Sequence, residues 1–447
     1  MRIPKKPPSE EEIRQLFIQN PDINALDGLK HYFSIVNTNY LHWDELQVDD
    51  RFKGVDLKLL WSYIKFFRGF SNRPIKLNGV TLQYVQTPQI EKALHDLDIR
   101  VGGKIGLEAQ MPGPELQKKY LVNSLMEEAI ASSQLEGAAT SRVAAKKMLR
   151  ENRKPRNHSE QMIVNNYVTM MYVKENVVTN QKLTLGFIKE IHRKITKDTL
   201  ENKEYEGTFR TDNEVKVYAK GEDQIVYDPP DYKKINQLLE QVCNFVNNAD
   251  SDSYYLHPFV KAIVLHYMIG YIHPFNDGNG RTARALFYWY LMAQKYDYLE
   301  YVAVSTAIKN ASAQYARAYL YSETDNNDVT YFVKFNLRAL DIAVTSFENY
   351  ISKTKAENRK MFEIIQQNPK LNFRQADILI SMSKDERPMT ILEMQERYHI
   401  TYETARTDLL GLVKQGYLQT FSKGKQFIFR LDKDKCMHAG AFNSPKQ

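Results

Sequence analysis

"YIHPFNDGNGRTARAL", Tyr271 to Leu286, packs one histidine, one acid, two glycines and two arginines into twelve positions. Before it runs "HPFVKAIVLHYMIGYI", where Val260, Ile263, Val264, Tyr267, Met268 and Tyr271 recur at helical spacing. That predicts a helix ending where the dense stretch begins. Pro274 stops it, so His273 sits at a helix-to-loop corner with a ring nitrogen available as a general base. Asp277 is a hard oxygen ligand, suited to Mg²⁺ whose remaining ligands come from phosphate. Gly278, Asn279 and Gly280 let backbone N–H groups approach a ligand closely. A new helix through Thr282–Leu286 turns those groups into the free donors of a helix N-terminus, an anion site. Arg281 and Arg284, three apart, share a face above it and can clamp a polyphosphate. Phe275 turns inward and pins the loop. A base, a metal ligand, an anion cradle and two cations are the equipment for moving part of a nucleotide onto a nucleophile.

The rest of the chain narrows the class. At 447 residues it predicts two or three domains. The 61 basic and 54 acidic side chains leave a formal charge of +7, compatible with a nucleic-acid or nucleotide partner. Two cysteines, Cys243 and Cys436, exclude a disulfide framework and a cysteine-rich zinc site, and suit a reducing cytoplasm. The start, "MRIPKKPPSEEEIRQL", lacks the apolar core of a signal peptide, and no apolar run is long enough to predict a membrane span. No Gly-Lys-Ser/Thr follows the glycines, so the stretch is not a P-loop.

Residues 1–88 read as a mixed α/β leader, with a buried helix at Leu57–Phe67 and a hairpin turning at Asn78-Gly79. Helical patterning dominates from Thr87, including a long helix at Glu115–Gly137. One hairpin interrupts it, at 211–227, where Val215 and Val217 alternate before Gly221, and Ile225 and Tyr227 after it. Ile351–Lys360 reads as a helix or a linker. Beyond Pro388 the pattern is helix (Ile391–Tyr398), turn, helix (Tyr402–Gln415), then two strands around Lys423-Gly424-Lys425. The boundaries this implies are 1–88, 89–350 and 351–447.

His273-Pro274-Phe275-Asn276-Asp277-Gly278-Asn279-Gly280-Arg281-Thr282-Ala283-Arg284 resembles the full signature of the Fic family, HPFx-D/E-GNGRxxR. The resemblance covers roughly residues 89–345. It implies a mainly α fold: an all-helical Fic core with a β-hairpin flap, followed by a C-terminal winged helix-turn-helix domain. It also implies an enzyme that transfers AMP from Mg-ATP to a protein Ser, Thr or Tyr hydroxyl, with self-modification. His273 would then be the base and Asp277 the Mg²⁺ ligand. Gly278, Asn279, Gly280 and Arg281 would cradle phosphates, with Arg284 at the γ-phosphate. "EGTFR" and the hairpin resemble the family's flap, making Val215, Lys216, Val217 and Tyr218 candidates to cover nucleotide or target. Tyr315, in "NASAQYARAYL", resembles a tyrosine that lies near the base.

"SSQLEG", Ser132 to Gly137, fits the family's inhibitory pattern S/T-xxx-E-G/N. Glu136 would pair with Arg284 and put a carboxylate where phosphate belongs, while Ser132 ties the helix to the core. In the C-terminal module Thr401, Tyr402, Thr404 and Arg406 face outward at the start of the second helix, the end that enters the major groove in helix-turn-helix proteins. Lys423, Lys425 and Arg430 are placed to meet phosphates. Open alternatives are removal rather than addition of AMP, a different donor group, a DNA-binding regulator with the site as a nucleotide sensor, a protein-docking winged helix, and a homodimer built on exposed aromatics.

Overall fold

The computed structural model describes residues 2–20, 28–77, 79–102, 114–177, 182–218, 224–248, 254–385, 387–398, 400–423 and 426–432. The chain divides into two compact units, Met1–Phe347 and Glu348–Gln447.

The first unit opens with α1 (Glu10–Gln19), whose start is fixed by Ser9 and Glu12 capping each other's backbone. Then come α2 (Lys30–Asn39), α3 (Trp43–Leu46), α4 (Leu57–Ser71), and the hairpin β1 (Ile75–Leu77) and β2 (Val80–Leu82), with Ile75 opposite Leu82. The leader therefore has more helix than the sequence reading gave it. Buried polar groups bond it to residues far beyond 88. Arg68 is buried and donates to Tyr331 Oη at 3.0 Å, Tyr40 Oη donates to Asp328 at 2.7 Å, and Lys65 pairs with Asp325 at 2.9 Å.

The helices that follow are α5 (Pro88–Val101), α6 (Pro114–Leu135), α7 (Arg142–Arg150), α8 (His158–Val177) and α9 (Leu185–Thr196). The flap hairpin is β3 (Val217–Tyr218) and β4 (Ile225–Tyr227), paired antiparallel with an irregularity between Val217 and Tyr218. The strands are shorter than expected, and Val215 and Lys216 precede them. Then come α10 (Ile235–Asn247), α11 (Pro258–Ile272), α12 (Asn279–Ala293), α13 (Val304–Asn310), α14 (Ser312–Thr324) and α15 (Thr330–Gln367). The sequence showed α11 as a single stripe. In the fold Ala262, Leu265 and Ile269 are as buried as Val260 and Val264, so helices surround α11 on every side. It is the central rod, and α12 packs along it. The segment Ile351–Lys360 lies inside α15.

The second unit holds α16 (Phe373–Asp385), β5 (Met389–Thr390), α17 (Ile391–Tyr398), α18 (Tyr402–Lys414), β6 (Leu418–Lys423) and β7 (Gln426–Leu431). Its sheet order is β5-β7-β6. A small core of Ile378, Leu379, Met394, Leu409, Leu412 and Phe429 holds it together. The sequence reading missed α16 and β5. Asn78, Gly221, Gly424, Lys425 and Cys436 lie outside the described residues. Among the described residues no helix is long and apolar enough to cross a membrane.

Candidate active site

The site forms where α11 ends and α12 begins. His273 caps α11 in the left-handed conformation, φ 48° and ψ 58°, and Pro274 prevents the helix from continuing. The turn swings the imidazole out of the helix while its Nδ1 stays 3.3 Å from the Gly270 carbonyl. Burial lowers the pKa of His273, against the opposing pull of that hydrogen bond and of the Glu136 charge. The neutral, proton-accepting ring is therefore the form present near pH 7.

Phe275 is fully buried, and Asn279 closes the loop by exchanging two hydrogen bonds with it. Its Nδ2 donates to the Phe275 carbonyl at 2.8 Å, and its Oδ1 accepts from the Phe275 N–H at 3.0 Å. The Asn279 amide is thus committed to the loop, leaving only its backbone for the cradle. Asp277 stands open to solvent. One carboxylate oxygen accepts from the Gly278 N–H at 2.6 Å, and the other lies 3.2 Å from Arg281. Gly278 has φ 83°, and a Cβ there would lie 2.8 Å from Thr196. Arg281 is buried, and its Nε has no partner among the described residues. A buried guanidinium N–H without an acceptor at a helix N-terminus is a place for an anion.

Arg284, one turn on, is held by α6. Its Nε donates to Ser132 Oγ at 2.9 Å, and its Nη2 donates to the Ser132 carbonyl at 3.0 Å and to Glu136 Oε1 at 2.8 Å. Burial disfavours the Arg284 charge, yet Glu136, Tyr315 and Glu128 together outweigh it and the net pKa is raised. Glu136 is aimed by the end of its own helix. Ala138 N–H bonds to the Ser133 carbonyl at 3.0 Å and Gly137 N–H to that of Gln134 at 3.2 Å, with Gly137 at φ 98°. This is a Schellman turn, which needs glycine at its left-handed position. The Glu136 carboxylate lies over the start of α12, where a Cβ on Gly280 would be 2.2 Å from Oε1.

The flap is tied to the same corner. Arg210 donates from its backbone to the Pro274 carbonyl at 2.9 Å and from Nε to the His273 carbonyl at 3.0 Å. Tyr227 Oη donates to the Tyr271 carbonyl at 2.8 Å. Of the flap candidates, Val215, Lys216 and Val217 are half-buried and Tyr218 is exposed, with Lys216 paired to Asp228. The Tyr315 hydroxyl is 2.8 Å from His266 Nε2, and burial raises its pKa against the pull of the nearby Arg284 charge.

Three residues escaped the sequence reading. Arg210 was visible only as the last letter of "EGTFR". His192, in "EIHRKI", looked like any histidine on an apolar helix face. Its Nε2 lies 2.8 Å from the Asp277 carbonyl and its Nδ1 accepts from the Gly207 N–H at 2.9 Å. Glu128 is a buried carboxylate on α6, bonded to Tyr288 Oη at 2.7 Å and to the Ser305 N–H at 2.8 Å. It anchors the helix that carries Glu136.

The chain resembles several known proteins. Residues 182–291 match the model of the Fic/DOC family. Over 131 residues, 29% of this chain, the sequence is 33% identical to a protein adenylyltransferase Fic of Drosophila grimshawi and 34% identical to that of Drosophila virilis. The match spans only 24% of the length of each of those relatives. In structure, a Fic family protein from Desulfovibrio desulfuricans G20 superposes with TM-score 0.51 at 19% identity, over 78% of this chain and 98% of the other. A Fic-1 fragment from C. elegans gives 0.50 at 15% identity, over 74% and 86%. The mainly helical fold is therefore similar to that of Fic proteins, and residues 182–291 resemble the Fic/DOC family.

Proposed function

We propose that the protein is an adenylyltransferase that moves AMP from Mg-ATP to a protein hydroxyl and is held back by its own Glu136. The observation that carries this reading is the Arg284–Glu136 pair at 2.8 Å, set over the N-terminus of α12 beside His273. His273 takes the proton from the target hydroxyl. The oxygen then bonds to the α-phosphorus, the bond from that phosphorus to the bridging oxygen of the β-phosphate breaks, and pyrophosphate leaves. Arg281, with its unpaired buried Nε, and the backbone of Gly278–Gly280 receive phosphate charge. Among the described residues no cluster of three His, Cys, Asp or Glu side chains is built to hold a metal. The exposed carboxylate of Asp277 fits Mg²⁺, which commonly takes one or two protein carboxylates and fills its shell with phosphate and water. When bound, that ion neutralises charge on the phosphates.

Glu136 blocks the productive arrangement in two ways. It engages the Nη2 of Arg284, and it brings negative charge to the helix start that phosphate would occupy. The test is the intact mass of purified Glu136→Gly protein after incubation with Mg-ATP. An added AMP supports the reading. An added phosphate replaces it with another donor chemistry, and an unchanged mass with loss of AMP from a pre-modified protein replaces it with a hydrolase.

For the second unit we propose a winged helix. The order α16, β5, α17, α18 and the hairpin β6-β7 supports it. DNA contact would use Thr401, Tyr402, Thr404 and Arg406 at the start of α18. Arg406 pairs with Glu403 at 3.2 Å across an exposed surface, and such a pair costs under about 1 kcal/mol to break. A sequence-dependent shift of short duplexes at moderate salt supports DNA binding. A shift that is salt-labile and blind to sequence argues against it.

A further inference from the structure

We propose that His192 is a positioning residue that holds the loop at Asp277 and the root of the flap in register with each other. Its ring lies flat on Phe275, with centroids 3.6 Å apart and planes 1° from parallel. Each nitrogen has one backbone partner. The Gly207 N–H can only donate, and reaches Nδ1 at 2.9 Å. The Asp277 carbonyl can only accept, and lies 2.8 Å from Nε2. The two partners together specify one neutral tautomer, protonated on Nε2.

The backbone on each side comes in close to meet the ring. Gly278, next to Asp277, has φ 83°, and a Cβ on it would be 3.3 Å from His192 Nε2. Gly207 has φ 75°, and a Cβ on it would be 3.0 Å from both Arg193 Cβ and the Lys189 carbonyl. Gly207 leads through Phe209 to Arg210, whose side chain grips the His273 carbonyl. Asp277 leads to Gly278, Arg281 and the start of α12. One imidazole therefore joins the strand-bearing side of the site to its phosphate side. It is fully buried, with both ring nitrogens on backbone, and acts through the two segments it holds.

The proposal rests on the adenylyltransferase reading only for its kinetic arm. Two half-replacements separate the bonds, each made in full-length Glu136→Gly protein. His192→Asn keeps an acceptor near the Nδ1 position and is too short to reach the Asp277 carbonyl. His192→Gln reaches that carbonyl with its amide N–H and gives up the Gly207 contact. Backbone amide exchange, read by mass spectrometry, reports each segment, and exchange in α11 reports that the variant is folded. With Asn, exchange across 276–280 rises about tenfold, that across 207–210 holds, and ATP binding weakens by a similar factor. With Gln the pattern reverses: 207–210 loosens, ATP binding stays within about twofold, and self-modification at saturating Mg-ATP slows. If both variants loosen both segments together, or neither loosens either, the proposal is overturned. If the Glu136→Gly parent transfers no AMP, the adenylyltransferase reading fails while the exchange and ATP-binding arms still decide the role of His192.

Discussion

His273 owes its chemistry to a left-handed turn that a β-branched residue would resist, followed by a proline that forbids more helix. Replacing it with alanine leaves the corner and removes the base. In the Glu136→Gly background, incorporation from radiolabelled ATP should then fall about 10²- to 10⁴-fold, with ATP binding retained. The acid limb of the rate has a defined sign. The working form is the neutral ring, and burial lowers its pKa from the ordinary 6.5. kcat/KM should therefore be flat near pH 7 and fall only as pH drops through a midpoint below 6.5. A midpoint above 6.5 would assign the limb to another group. Gly280 offers a second test at this scale. A Cβ there would crowd Glu136 Oε1 at 2.2 Å and Arg284 Nη1 at 3.1 Å. The Glu136 end is flexible and can swing away, so Gly280→Ala should loosen the inhibitor. It should weaken ATP binding as well, because the methyl stands in the hollow the phosphates need. Equilibrium binding in the presence and absence of Glu136→Gly separates the two effects.

At the scale of elements, the proposed restraint by Glu136 depends on how α6 ends. Gly137 at φ 98° completes the Schellman turn, and a side chain there is strained by about 1–2 kcal/mol. Gly137→Ala should raise basal AMP incorporation several-fold, with every residue that touches nucleotide unchanged. Activity that stays at the resting level would show that the turn does not set Glu136. This is also the scale at which the sequence was most readable. The dense motif and the proline fixed the α11-to-α12 corner because each residue there has a local reason to be where it is. The helix ending in "LEG" was readable for the same cause. His192, Arg210 and Glu128 were not, because each acts on backbone or side chains far away in the chain: 85 residues for His192 to Asp277, 63 for Arg210 to His273, 177 for Glu128 to Ser305. The bond between Tyr315 and His266 was hidden as well, since periodicity gives a helix face but not what lies across from it.

Across the whole first unit, the leader is stitched to the helical body by buried polar groups. Arg68 donates to Asn37, Leu41 and Tyr331 and lies 3.7 Å over the Tyr40 ring. The sequence suggests a border at 88 because helical patterning dominates from Thr87 on, and no local pattern reports a bond between residues 68 and 331. Arg68→Ala leaves Asp325 and Asp328 buried with less positive charge nearby, and should destabilise the unit by about 3–5 kcal/mol. Denaturant midpoints of the full chain would show it. A loss under about 1 kcal/mol would mean that the leader is held chiefly by its apolar core.

Ser132 and Glu136 stand 152 and 148 positions before the arginine they grip, on the same polypeptide. If Glu136 is the inhibitor we propose, the restraint is supplied one-to-one with every copy synthesised, at an effective concentration set by folding and not by expression. Making more of the protein, or diluting it, should leave the resting fraction of each copy unaltered. Only an event that acts on the Glu136–Arg284 contact, from either helix, would change that fraction.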